Sequence, residues 1–265
     1  MSTHRDILFE RRGAAGVVTL NRPHALNAVT HGMVHALAAK LNEWARDPAI
    51  TRVIIRGAGE RAFSAGGDIR ALYELGRAGR QAEALPFWRD EYMLNALIKH
   101  YPKPYVALID GIVMGGGVGV SIHGSHRVAG ESFKFAMPEV GIGFFPDVGA
   151  TWLLSRMPGE TGTYSALTGE RLGTAATIRA KSPTSLKIAL AQMRRGKTWS
   201  FTDCMKAEFR IVSRVVYGHD FYEGIRAVII DKDNAPRWRP ATLDGVSEVE
   251  IERHFAPLAE ELELP

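Results

Sequence analysis

Two acids stand out by their surroundings. Across Phe135–Gly149, Glu139 and Asp147 are the only charged residues in a run rich in glycine, phenylalanine and aliphatic side chains. A carboxyl group among apolar neighbours is driven toward its neutral form. Its pKa rises, and it becomes suited to moving protons near neutral pH. The plainer role for either acid is to cap a helix or satisfy backbone amides, and Asp147 is placed to cap a helix entering Trp152.

Two glycine turns supply a complementary chemistry. Phe63-Ser64-Ala65-Gly66-Gly67-Asp68 and Met114-Gly115-Gly116-Gly117 each follow a buried strand and precede a helix. Glycine lets the backbone approach a ligand closely, and the N–H groups of a helix start can hold an oxyanion. One such turn can equally be a mere connection. Two can aim one donor each at a single carbonyl oxygen.

Other chemistries find less support. Gly115, Gly117 and Gly119 are spaced G-x-G-x-G, one position short of a dinucleotide fingerprint. His123 and His126 lack a recognised ligand spacing, so no metal is expected. Ser121 and Ser125 have no nucleophile-elbow context. Cys204 is the single cysteine, which excludes an intrachain disulfide and a cysteine zinc site. The net charge of +4 over 265 residues is spread along the chain, with no basic stripe, so no nucleic-acid partner is expected. No stretch reaches the roughly 18 apolar residues of a membrane span, so no membrane partner is expected. Met1 to Gly13 lacks an apolar core and does not read as a targeting segment. The expected location is the cytoplasm, or a mitochondrial matrix-like compartment in a eukaryotic cell.

The elements that must position these residues alternate. Ile7–Glu10 and Val17–Leu20 predict a hairpin, and Thr30 predicts the N-cap of a helix carrying Met33, Leu37, Leu41 and Trp44. Val53–Ile55 and Tyr105–Ile109 read as buried strands, with a helix over about Phe87–Lys99 between them. Val118–His123 could open a helix, and Arg127–Ala129 and Phe133–Ala136 read as short strands. Strand, turn and helix repeat, which argues an α/β fold with parallel pairing. Helical patterns dominate afterwards, over Trp152–Leu167, Ser185–Arg195, Phe201–Tyr217 and Phe221–Ile230. The expected division is therefore a core over 1–150 and a helical C-terminal region over 151–265.

The order and spacing of Asn21-Arg22-Pro23, Asn27-Ala28, Phe63–Asp68, Gly115–Gly117 and Pro138-Glu139 resemble the crotonase (enoyl-CoA hydratase/isomerase) superfamily. The resemblance runs from about Ile7 to Arg171. It implies a crotonase-like spiral of ββα units with a helical C-terminal region that often mediates trimer contacts, so a homo-oligomer (trimer or hexamer) is a possible partner state. It also implies a coenzyme A thioester whose carbonyl oxygen is held by the N–H groups of Ala65 and Gly116, with Glu139 and Asp147 completing the catalytic set. Glu91, Gly66, Gly67, Asp68, Ala25 and Leu26 are carried over as substrate-binding positions. Apart from CoA as part of the acyl-CoA substrate, no cofactor is implied.

Hydratases of the superfamily use two glutamates, and here the first of those positions is Gly119. The finer pattern is similar to a hydroxyacyl-CoA hydrolase branch. It includes Glu91–Asn95, Lys103–Gly111, Phe145–Gly149, Ser182-Pro183-Thr184-Ser185 and Asp220–Arg226. The resemblance thus implies hydrolysis of a short, branched 3-hydroxyacyl-CoA thioester such as 3-hydroxyisobutyryl-CoA. An isomerase or residual hydratase using Glu139 alone, and a non-catalytic CoA-binding protein, are the alternatives. In similar proteins a sizeable segment separates Leu167–Leu172 from Ser182–Ser185. A segment is therefore expected to be missing between about 175 and 182. Omission is preferred to deletion, because deletion would strip packing from the helical layer.

Overall fold

Strand β1 (Ile7–Arg12) pairs antiparallel with β2 (Ala15–Leu20) around Gly13, whose φ of +59° suits the residue without a Cβ. Every residue of β2 is buried, because β2 is flanked on both edges. It pairs parallel with β3 (Arg52–Gly57), β3 with β5 (Tyr105–Ile109), and β5 with β7 (His126–Ala129). Parallel neighbours need crossover segments. One crossover contains the helix His31–Arg46, where Thr30 Oγ1 accepts the Met33 N–H at 3.2 Å as the sequence predicts. Its Met33, Leu37, Leu41 and Trp44 are all buried. The small second sheet has the order β4 (Ala62–Ser64), β6 (Ile112–Met114) and β8 (Lys134–Ala136).

This computed structural model describes residues 6–169 and 180–264. The chain divides into two compact units. The first runs to Asp68 and resumes over Asp90–Phe135, with Leu264 joining it. The second comprises Ile69–Arg89 and Ala136–Glu263. Helices dominate the second unit, among them Pro183–Gly196, Phe201–Val215 and Glu248–Phe255. Ser200 and Asp203 form a reciprocal capping box at the start of Phe201–Val215. The helical run expected over Trp152–Leu167 is two helices, Ala150–Leu154 and Thr161–Thr168. Pro158 and Gly159, the latter at φ +61°, interrupt it. The helix expected over Phe221–Ile230 begins at His219 and loosens into a π turn at Arg226–Ile230. The junction expected at about 175–182 falls largely on 170–179, outside the described residues. Among the described residues, no helix is long and apolar enough to cross a membrane.

Two turns emerge from β4 and β6, which run parallel to each other. Gly115, at φ +43°, leads into the helix Gly116–Ile122, and this helix lies hard against β4. A Cβ at Gly117 would sit 2.5 Å from the backbone oxygen of Ser64. Backbone cannot swing aside as a side chain can. Gly117→Ala should therefore cost about 1–3 kcal/mol of stability, measured as a lowered urea midpoint with unchanged slope.

Candidate active site

The first unit builds a donor site. Asn27 is buried at φ +55°, and its side chain explains the long-range motif. Its Nδ2 donates to the carbonyls of Ala58 and Ala62, both at 2.9 Å, and its Oδ1 accepts the Arg22 N–H at 2.9 Å. The Arg22 guanidinium donates to Ala28 O at 2.8 Å and to Asp68 at 3.1 Å. Asn21-Arg22-Pro23 and Asn27-Ala28 thus staple one loop to the turn that follows β4. Leu26 and Asp68, expected to contact substrate, use polar groups to hold that turn. Leu26 O accepts the Ala65 N–H at 2.9 Å, and Asp68 N–H donates to Val29 O at 2.9 Å. Ala25 closes the short 3-10 turn Pro23–Ala25.

The bond to Leu26 corrects one expected role. The Ala65 N–H is already committed, so Ala65 does not present the first oxyanion donor. Gly66, at φ +112°, turns the chain, and its carbonyl accepts from Val29. The next residue, Gly67, is half-buried, and its N–H has no protein acceptor among the described residues. An ideal Cβ on Gly116 would lie 3.2 Å from Gly67 N, so the two donor turns meet there. Gly116 is the first residue of its helix, where N–H groups have no intrahelical acceptor. The available pair is Gly67 and Gly116. Glu91 is buried, with its Oε1 only 2.5 Å from that same ideal Cβ position. A side chain at 116 would therefore displace the acid as well.

The second unit builds an acid site. Glu139 opens the 3-10 turn Glu139–Ile142, and Gly143 at φ +68° reverses the chain. A Cβ at Gly143 would meet Asp220 O at 2.0 Å, and one at Gly224 would meet Ile142 at 2.3 Å. Only glycines permit this packing. Ser182 ties the distant motifs together: its hydroxyl donates to Asp220 at 2.6 Å, and its N–H donates to Val140 O at 3.3 Å. Phe144 packs between Trp88, Phe145 and Phe221 at centroid distances of 4.5–5.8 Å, giving the segment an aromatic bed.

Glu139 and Asp147 are 7% and 5% exposed, which places both in low-dielectric surroundings. Glu139 Oε2 has no hydrogen-bond partner among the described residues. Burial holds the Glu139 carboxyl well above the usual carboxylate range. The charge of Asp147 adds to this, a backbone hydrogen bond opposes it, and Glu208 adds further. The helix Ala150–Leu154 starts from Gly149 with no side-chain cap at that position.

A third acid, Glu208, does the capping from another helix, and motif reading missed it. It is fully buried, and its carboxyl accepts the Gly149 N–H at 2.7 Å and the Thr151 N–H at 2.9 Å. Gln192 reinforces the loop by donating to Pro146 O at 3.0 Å and Thr151 Oγ1 at 2.7 Å. The loop carrying Asp147 is thereby fixed on both sides. The available signal was periodicity: Glu208 falls on the buried stripe with Phe201, Cys204 and Met205. Burial pushes the Glu208 carboxyl up to about 8; the Gly149 N–H opposes this and the Asp147 charge adds to it.

Relative to an ordinary value of 4.5, folded Glu208 keeps its proton where the unfolded chain has lost it. Its contribution to stability is full below the ordinary value and falls as pH rises through about 8. Glu208→Gln should therefore show a shallower loss of stability from about pH 5 to pH 8 than wild type, measured by urea unfolding across that window.

Residues 15–178 and 173–255 match the Enoyl-CoA hydratase/isomerase family. The chain is 38% identical over 346 residues to the mitochondrial 3-hydroxyisobutyryl-CoA hydrolase of Danio rerio, covering 96% of this chain and 90% of that protein. It is 36% identical over 353 residues to the Homo sapiens protein of the same name, covering 97% and 91%. Both alignments are longer than the 265-residue chain, so these relatives carry residues with no counterpart here. Among solved structures, an enoyl-CoA hydratase from Rhodobacter sphaeroides 2.4.1 superposes with a TM-score of 0.92 at 34% identity, covering 98% of this chain and all of that one. A carnitinyl-CoA dehydratase from Mycobacterium thermoresistibile gives 0.91 at 38% identity, covering 98% and 99%. These full-length similarities confirm the crotonase-like α/β fold read from the sequence motifs. The chain belongs to the enoyl-CoA hydratase/isomerase family.

Proposed function

We propose that this protein hydrolyses a short, branched 3-hydroxyacyl-CoA thioester, with 3-hydroxyisobutyryl-CoA as the substrate of choice. One observation carries the reading beyond the family. The acid set is Glu139 with Asp147, while the position of a hydratase's first glutamate is Gly119, buried inside the helix Gly116–Ile122. Adding water across a carbon–carbon double bond calls for two acid–base groups. Cleaving a thioester needs one base and an oxyanion site. The names of the curated relatives agree with the second chemistry.

In this mechanism the thioester oxygen accepts from the N–H groups of Gly67 and Gly116. Each donor strengthens its bond as charge develops on that oxygen, and losing one typically costs about 10²–10³ in rate. Glu139, as its carboxylate, takes a proton from water, which attacks the carbonyl carbon; the C–S bond then breaks and CoA leaves as the thiol. Alternatively Glu139 attacks directly and water resolves the anhydride. Asp147 holds the substrate 3-hydroxyl and keeps the Glu139 pKa high. A higher pKa makes the Glu139 carboxylate the stronger base once it has ionised. Glu91 backs the Gly116 turn. CoA enters only as part of the substrate.

Thiol release from 3-hydroxyisobutyryl-CoA tests this directly. Wild type should release CoA, and Glu139→Gln should lose about a hundredfold or more in kcat. Disappearance of an enoyl-CoA absorbance without thiol release would instead make the protein an isomerase or hydratase. Single turnover in ¹⁸O water separates the two hydrolytic routes, because only the anhydride route can leave label in the Glu139 carboxyl. The pH profile gives a second check. The acid limb of kcat/KM should lie above the usual glutamate range. In Asp147→Asn that limb should move to lower pH, because the anion that opposes ionisation of Glu139 has been removed.

A further inference from the structure

His31 and His35 lie one helical turn apart at the start of the helix His31–Arg46, so their side chains leave the same face. Both Nε2 atoms converge on one oxygen of Asp90, Oδ2, at 2.6 and 2.5 Å. The two rings stand 4.2 Å apart between centroids and are tilted by 55°. One candidate ligand atom from each of the three residues lies within 4.8 Å of the others. None of the three takes part in the thioester chemistry above, and the sequence motifs give them no role.

We infer that His31, His35 and Asp90 form a binding site for a divalent transition-metal ion of the Zn²⁺ type. Two imidazoles at i and i+4 on one helix face form a chelate, and a carboxylate oxygen from a second helix adds the anionic third ligand. A tetrahedral zinc with ligands at about 2.0–2.2 Å separates its ligand atoms by roughly 3.3 Å. The present N···O separations need open by less than about 1 Å, which side-chain rotation supplies. The side chains are 39%, 59% and 33% exposed, so an ion reaches them from solvent and a water can take the fourth position. Calcium and magnesium prefer all-oxygen shells and do not suit this donor set.

The ion would join residues of the first unit that lie far apart in sequence. Asp90 directly precedes Glu91, so the bridge would brace the helix segment that carries Glu91 over Gly116. Its binding energy would appear as added stability of the folded chain, because the unfolded chain does not hold the three ligands together.

The test uses the untagged full chain, with Zn²⁺ titrated against a chromophoric chelator at about pH 7.5. One Zn²⁺ per chain with micromolar affinity is expected, together with a raised Tm. Even outer partners of metal ligands are worth about 10–100-fold in affinity, so both His31→Asn/His35→Asn and Asp90→Asn should weaken binding at least tenfold. The Tm increase should vanish in the double variant. Circular dichroism and thiol release confirm that the double variant is folded and active. Co²⁺ gives an independent signature, with visible d–d bands in wild type that the double variant lacks. Absence of stoichiometric binding by wild type at on the order of 100 µM free Zn²⁺ would overturn the site. So would equal affinity in either variant, leaving a hydrogen-bonded histidine–aspartate cluster.

Discussion

Carboxyl groups buried without a cation set the terms for the second unit. Taking a carboxylate out of water costs several kcal/mol unless dipoles or protons compensate it. Glu208 obtains its compensation from the N–H groups of Gly149 and Thr151. Glu139 is left under the influence of burial, two other acids and its own backbone. The same surroundings therefore stiffen one acid's loop and leave another acid poised to exchange a proton. The fixed loop geometry, the glycines at 143 and 224, and the aromatic bed of Phe144 hold the segment that carries Glu139 and Asp147 in place.

The first unit solves the complementary problem of presenting backbone N–H groups to a ligand. A free N–H pair requires two turns that approach each other without side chains, while nearby polar groups are otherwise satisfied. Asn27 and Arg22 supply that satisfaction, bonding the loop before the helix His31–Arg46 to the ends of β3 and β4. The glycines then differ in kind. Gly117 is needed because Ser64 backbone lies beneath it, whereas Gly116 faces the end of the Glu91 side chain and Gly67. Packing fixes the first, and the second opens its helix with an N–H that has no intrahelical acceptor.

Much of this was legible along the chain. Apolar periodicity and the Thr30 cap identified the first long helix, and alternating runs with glycine identified the hairpin and the parallel strands. Glu139 and Asp147 were visible because local composition decides whether an acid sits among apolar neighbours. The break within 152–167 was less so, since Pro158 and Gly159 had to outweigh a periodicity that continues on both sides.

What the sequence by itself determined, then, was the family, the order of elements and the two acids, because helix caps, glycine turns and hydrophobic periods are properties of a few adjacent residues. The tertiary structure decided which groups remain available for chemistry. Leu26 takes the Ala65 N–H, while the Gly67 N–H has no protein acceptor among the described residues; Glu208 reaches a loop some sixty residues away; Asp90 meets His31 and His35 from another helix. A hydrogen bond can be assigned only when both partners have a position, and for these pairs the fold brings the second partner from far along the chain.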